Sequence, residues 1–96
     1  MNNKAGPLMD ARKVLGPDRF AELVLWQVPK PVHGSTHLFK YRLAFVVDGV
    51  CVVRYDNEPG KGDHRHFGAL EANYVFTTID QLVADFFKDV EGWRGP

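Results

Sequence analysis

With a single cysteine, Cys51, the chain cannot form an internal disulfide or a thiolate zinc cage. Cys51 stands in a valine-rich run, where burial as a small apolar side chain is expected. Net charge is missing as well. Twelve Lys and Arg balance twelve Asp and Glu, so no overall field draws the protein to nucleic acid or an anionic membrane. No apolar run approaches membrane-spanning length, and Met1-Asn2-Asn3-Lys4-Ala5-Gly6-Pro7 lacks the apolar stretch of a signal peptide. A soluble, cytoplasmic protein is expected, with residues 1–7 disordered. Repeats, linkers and low-complexity segments are also absent. The 96 residues, 45% hydrophobic and 12% aromatic, suffice for one core and are too few for two, so 1–96 reads as a single domain.

The balanced charge is unevenly spread. Through Arg54 the chain has eight basic residues against four acids, and from Tyr55 onward four against eight. A basic face suited to phosphates and an acidic face suited to a basic partner are both expected.

Turn residues divide the rest. Pro7 to Leu15 suits a short strand better than a helical turn and stops at Gly16-Pro17-Asp18. Phe20 to Val28 is β-rich and ends at Pro29-Lys30-Pro31, which a central strand does not tolerate. Asp48-Gly49, between Leu38–Val47 and Val50–Asp56, predicts a type I′ hairpin over 38–56. With Val47 opposite Val50, strict alternation sets Leu43 opposite Arg54 and Tyr41 opposite Asp56. That register groups Tyr41, Arg54 and Asp56, and leaves Arg42, Ala44, Val46, Cys51, Val53 and Tyr55 on the other face, ready to take a helix. Tyr74–Thr77 reads as a further short strand. Thr78-Ile79-Asp80-Gln81 is a capping box, and Ile79, Leu82, Val83, Phe86, Phe87 and Val90 form one apolar helical stripe that ends at Gly92. The predicted fold is α+β: a small antiparallel sheet of about four to five strands packed on a C-terminal helix near 79–91. Asp80, Asp85, Lys88 and Asp89 are expected on the solvated side of that helix, and Trp26 and Trp93 in packing roles.

The densest chemistry lies between Arg54 and Gly68, in Arg-Tyr-Asp-Asn-Glu-Pro-Gly-Lys-Gly-Asp-His-Arg-His-Phe-Gly. A connecting loop needs turn formers and solubility, whereas this segment also carries imidazoles, carboxylates and cations. In an extended segment His64 and His66 project from the same side, as an acid/base pair requires. RNA cleavage without metal needs a base for the 2′-hydroxyl, an acid for the leaving 5′-oxygen and cations for the phosphate. His64 and His66 are the candidates for the first two roles, with Asp56 orienting an imidazole or neutralising Arg54. Arg54, a bidentate clamp, and Lys61, a mobile charge, are candidates for the phosphate. Arg65, Tyr41 and Asn57 complete the candidate substrate-binding set. A metal site of His64, His66 and Asp56 is the lesser alternative, supported by ligand number alone, and no cofactor is expected. Gly60-Lys61-Gly62 lacks the Gly-Lys-Ser/Thr of a P-loop, which excludes that mode of nucleotide binding. His33 and His37 read as solvent-exposed loop residues.

From Phe39-Lys40-Tyr41-Arg42 through Val47-Asp48-Gly49-Val50-Cys51-Val52-Val53-Arg54-Tyr55-Asp56-Asn57, Gly60-Lys61-Gly62-Asp63-His64-Arg65-His66 and Phe86-Phe87-Lys88-Asp89-Val90, the chain resembles the TumE family of bacterial toxins. The resemblance extends upstream through Leu23–Pro29 and covers about residues 9 to 94. Arg54, Asp56, Asn57, Lys61, His64 and His66 fall in the family's recurrent block. The resemblance implies a toxin that slows growth and is neutralised by a co-encoded antitoxin with a helix-turn-helix DNA-binding domain. The N-terminal helix pair of RelE/ParE toxins is not evident in residues 1–20, so the superfold stays open. Three accounts remain: an RNA-cleaving toxin, a non-enzymatic toxin that occupies RNA, ribosome or protein through residues 54–68, and a structural partner-binding domain. A homodimer is compatible with each.

Overall fold

A computed structural model describes residues 5–94. Its elements are β1 (Gly6–Gly16), β2 (Arg19–Gln27), β3 (Phe39–Val47), β4 (Val50–Glu58), β5 (Gly62–Phe67), β6 (Leu70–Asn73) and α1 (Ile79–Gly92). The strands form one antiparallel meander in chain order, and α1 lies across one face. The α+β class and the C-terminal helix match expectation, with six strands in place of four to five. Of residues 1–7, expected to be disordered, 1–4 lie outside the described residues, while Gly6 and Pro7 open β1.

The added strands come from the segment read as a loop. Gly60 (φ 87°) and Gly62 (φ 75°) adopt the left-handed conformation that turns β4 back on itself. Residues 62–67 then pair with β4, and β6 pairs with β5. Tyr74–Thr77, expected as a strand, continues without strand pairing into the helix cap.

The β3–β4 hairpin turns at Asp48 (φ 50°) and Gly49 (φ 77°), as a type I′ turn requires. Its register departs from strict alternation. Val47 faces Val50 and Val46 faces Cys51, but Phe45 faces Val53, leaving Val52 as one extra residue in β4. Beyond this bulge Leu43 faces Tyr55 and Arg42 faces Asp56. Beyond the bulge β4 is therefore shifted by one position against β3: Val53 and Tyr55 lie under the helix as expected, but beside Tyr41, Leu43 and Phe45 in place of the expected Arg42, Ala44 and Val46. Tyr41, Leu43, Phe45, Val53 and Tyr55 now share the helix face and join Ala21, Leu23, Leu25, Leu82 and Phe86 in the core. Arg54 and Asp56 occupy the open face, so the expected grouping of Tyr41 with Arg54 and Asp56 does not form. Cys51, beside the turn and beyond the helix, is exposed rather than buried.

Helix α1 starts where its cap predicts, with the Gln81 amide donating to Thr78 Oγ1 at 3.1 Å. The reciprocal half of the capping box is absent, because Gln81 Nε2 donates to Asp85 Oδ1 at 2.8 Å instead. Leu82 and Phe86 are fully buried, and each of these large side chains gains roughly 1.5–3 kcal/mol from that burial. Two helix acids placed on the solvated side face the sheet. Tyr74 donates to Asp85 at 2.6 Å and Tyr55 donates to Asp89 at 2.6 Å, with Arg65 3.6 Å from Asp89. Buried tyrosine hydroxyls need an acceptor, and these carboxylates supply it. Trp93 packs edge-on against Phe67 at 5.5 Å, whereas Trp26, expected to pack, is 40% exposed.

All three tyrosines bond a carboxylate, since Tyr41 donates to Asp63 at 2.6 Å. Burial first, then the carboxylate partner, raises each phenol above its ordinary value of 10. A group whose folded pKa is raised contributes stability that is complete below the unfolded value and is lost as pH rises through the folded one. Phenolate absorbance of the native protein is therefore expected to stay near zero past pH 10 and to appear together with loss of far-ultraviolet ellipticity. A phenolate signal at ordinary pH in the folded protein would refute these contacts.

Candidate functional site

Strand alternation and the Val52 bulge bring four sequence-predicted residues together on the face without the helix. Across β4 and β5, Arg54 faces His66 and Asp56 faces His64. The Arg54 Nη2 donates to His66 Nε2 at 3.0 Å, and Arg54 Nε lies 3.3 Å from Asp56 Oδ2. Because arginine only donates, His66 Nε2 accepts, and the neutral ring carries its proton on Nδ1. His64 is held the other way. Its Nε2 donates to the Lys61 carbonyl at 2.7 Å, leaving Nδ1 as the acceptor nitrogen of the neutral ring.

Glu71, unmarked in the sequence reading, sits on β6 opposite His66. Its Oε1 lies 3.5 Å from His64 Nδ1 and 3.9 Å from His66 Nε2. One carboxylate thus serves both imidazoles. It was illegible because β6 itself was not foreseen, and Glu71 is near His64 only through the β5–β6 pairing. Arg54 Nε and His64 Nδ1 are buried nitrogens without a hydrogen-bond partner among the described residues. Each already lies near a carboxylate, and buried polar atoms left in that state merit a functional reading. No group of three His, Cys, Asp or Glu among the described residues is arranged to hold a metal ion, so His64, His66 and Asp56 do not form the alternative ligand set.

The other predicted residues lie elsewhere. Lys61 is exposed in the β4–β5 turn, where its carbonyl meets His64 and it lines the cleft beside Asp63. Arg65 points to the helix face, over the Tyr55 ring at 5.8 Å. Tyr41 and Asn57 are buried on that face too. The Asn57 side chain accepts from the Tyr41 amide at 2.9 Å and donates to the Phe39 carbonyl at 2.7 Å, which makes it a brace between β3 and β4.

A second polar cluster surrounds Asp63. Its carboxylate accepts from Ser35 Oγ at 2.5 Å, from Tyr41 at 2.6 Å and from His37 Nε2 at 2.7 Å. His37 was expected in solvent, yet its side chain is only 11% exposed and stacks on Phe76 at 3.9 Å. Its other nitrogen accepts from the Phe39 amide at 3.2 Å. Both ring nitrogens are engaged, and Ser35 points at the acid rather than at the imidazole. A serine nucleophile activated by histidine does not result. The cluster ties the loop between β2 and β3 to the β4–β5 turn. There Gly34 and Gly62 touch so closely that a Cβ on Gly62 would come within 2.5 Å of the Gly34 carbonyl oxygen. A shallow cleft of about 340 Å³ opens beside Ser35, His37, Lys61 and Asp63. A larger one of about 940 Å³, near Val50, Val52 and Trp93, adjoins neither cluster.

A model of the protein family described as Toxin TumE matches residues 6–94. No curated protein and no solved structure matches the chain.

The division of labour between the clusters is testable. Asp63→Ala strands three donors, each costing about 1–3 kcal/mol when left unpaired, and is expected to lower the denaturant midpoint markedly. Glu71→Gln on the open face is expected to leave that midpoint within about 0.5 kcal/mol of wild type. Equal losses in the two variants would contradict the division.

Proposed function

The chain belongs to the TumE toxin family, and from that premise we propose that it arrests growth by cleaving RNA without a metal on the open face of its sheet. Membership of a toxin family implies a cognate antitoxin. On the proposed reading that antitoxin carries a helix-turn-helix DNA-binding domain, and the toxin acts in the cytoplasm. Among the described residues no helix is long and apolar enough to cross a membrane.

The observation that carries the reading is the arrangement of Arg54, His64, His66 and Glu71 on one uncovered face. His64 and His66 are separated by two strand positions, roughly 6.6 Å along the strand, a spacing that sets one imidazole on each side of a phosphate. Binding of the phosphate by Arg54 withdraws its N–H from His66 Nε2 and releases that lone pair. His66 then takes the 2′-hydroxyl proton as the 2′-oxygen attacks phosphorus. The P–O5′ bond breaks, and protonated His64 donates to the departing 5′-oxygen, leaving a 2′,3′-cyclic phosphate and a 5′-hydroxyl. Arg54, with Lys61 from the turn, offsets the charge gathering on the phosphoryl oxygens. Glu71 stabilises the protonated form of either histidine. Asp56 holds Arg54 in place.

Induction in a bacterial culture at matched soluble protein levels tests this. The wild type is expected to arrest growth and to generate RNA with 5′-hydroxyl ends. His64→Ala or His66→Ala should reduce cleavage by about 10²- to 10⁴-fold, the usual worth of a general acid or base. Arrest with intact RNA, unchanged in both histidine variants, would overturn the nuclease step and leave occupancy of a target by the same face.

A further inference from the structure

The sheet has two free edges, and they differ. β6 spans only Leu70–Asn73, short enough to be a poor template for another strand. β1 runs for 11 residues, most of them exposed, with its outer backbone facing no other strand among the described residues. Its pairing with β2 is irregular only between Pro7 and Met9 and between Val14 and Gly16, leaving Met9–Val14 as a regular edge. Natural edges of this length are blunted by charge, proline or bulges, or else they are used. Here the bulges and Pro7 lie at the ends, and the charges in the middle are of both signs.

We propose that β1 is a homodimerisation strand, pairing antiparallel with β1 of a second copy about a twofold axis through Ala11. In that register Asp10 lies opposite the partner's Arg12 and Met9 opposite the partner's Lys13, all within the regular edge. Opposite charges meet on both sides of the axis. The neighbouring registers are rejected by the sequence itself. An axis through Asp10 or Arg12 sets two like charges directly opposite, which destabilises a strand pair. Asp10 and Arg12 both point to the open face, where Arg12 lies over the Phe20 ring at 3.7 Å. A twofold axis perpendicular to the sheet keeps like faces on the same side. The two sheets therefore become one, with both open faces continuous and both helices behind.

Sedimentation equilibrium of the purified full chain, without antitoxin, tests this directly. The wild type is expected to be a concentration-dependent dimer. Asp10→Arg should weaken dimerisation at least about tenfold, since each dimer exchanges two favourable pairs for two repulsive ones. The double exchange Asp10→Arg with Arg12→Asp should restore it. Circular dichroism of each variant checks that the fold is retained. In a Cys51→Ser background, Ala11→Cys should yield a disulfide-linked dimer on mild oxidation, because only this register brings position 11 against itself. A wild type that stays monomeric, a single exchange without effect, or a double exchange weaker than the single one would overturn the proposal. A monomer whose β1 amides gain exchange protection only on binding the antitoxin would overturn it too, and would give this edge to that partner.

Discussion

One extra residue in β4 governs how this protein is divided. The Val52 bulge shifts the later part of the strand by one position, and in a strand one position is a change of face. Val53 and Tyr55 are thereby delivered under α1, while Arg54 and Asp56 are turned away from it. Without the bulge a guanidinium and a carboxylate would be pressed against Leu82 and Phe86, at a desolvation cost that the small core has little means to offset. The bulge therefore makes a buried core and an uncovered polar face compatible within one hairpin.

The two faces then take different tasks. On the helix side polar groups are satisfied by partners within the protein: tyrosines bond Asp63, Asp85 and Asp89, and Asn57 bonds the backbone of β3. These contacts order the chain and leave little chemistry unused. On the open side Arg54 Nε and His64 Nδ1 lack hydrogen-bond partners among the described residues, and an accessible carboxylate stands between two imidazoles. Buried polar atoms left in that state call for an explanation, and the proposed function supplies one. The Asp63 cluster superficially resembles a catalytic group, but its donors and acceptors are saturated and it serves as a clasp between loops.

Much of this was legible in the sequence. The Asp48-Gly49 turn, the Thr78 cap and the apolar stripe of α1 are local signals, and each element formed where its residues predicted. The same-side placement of His64 and His66 follows from strand alternation and held. What failed was non-local. A bulge has no sequence signature in a run of valines, so the residues after Val52 were matched with the wrong β3 partners, and Arg42, Ala44 and Val46 were expected under the helix where Tyr41, Leu43 and Phe45 lie. Strands β5 and β6 carry charged and imidazole side chains in place of the β-branched residues that announce a strand, and they exist because β4 offers them an edge. Missing β6 meant missing Glu71. His37 was misread for the same reason: its burial depends on Asp63 and Phe76, far away in the chain and near only in the fold.

The most direct test of the account is a nuclear magnetic resonance titration of the histidine-to-alanine double variant at His64 and His66 with a short RNA, which allows binding without cleavage. The account predicts shifts concentrated at Arg54, Asp56, Glu71 and their neighbours on the open face, with the amides around Asp63, Asp85 and Asp89 unmoved. Shifts centred on Ser35, His37 and Asp63, with the open face silent, would contradict it.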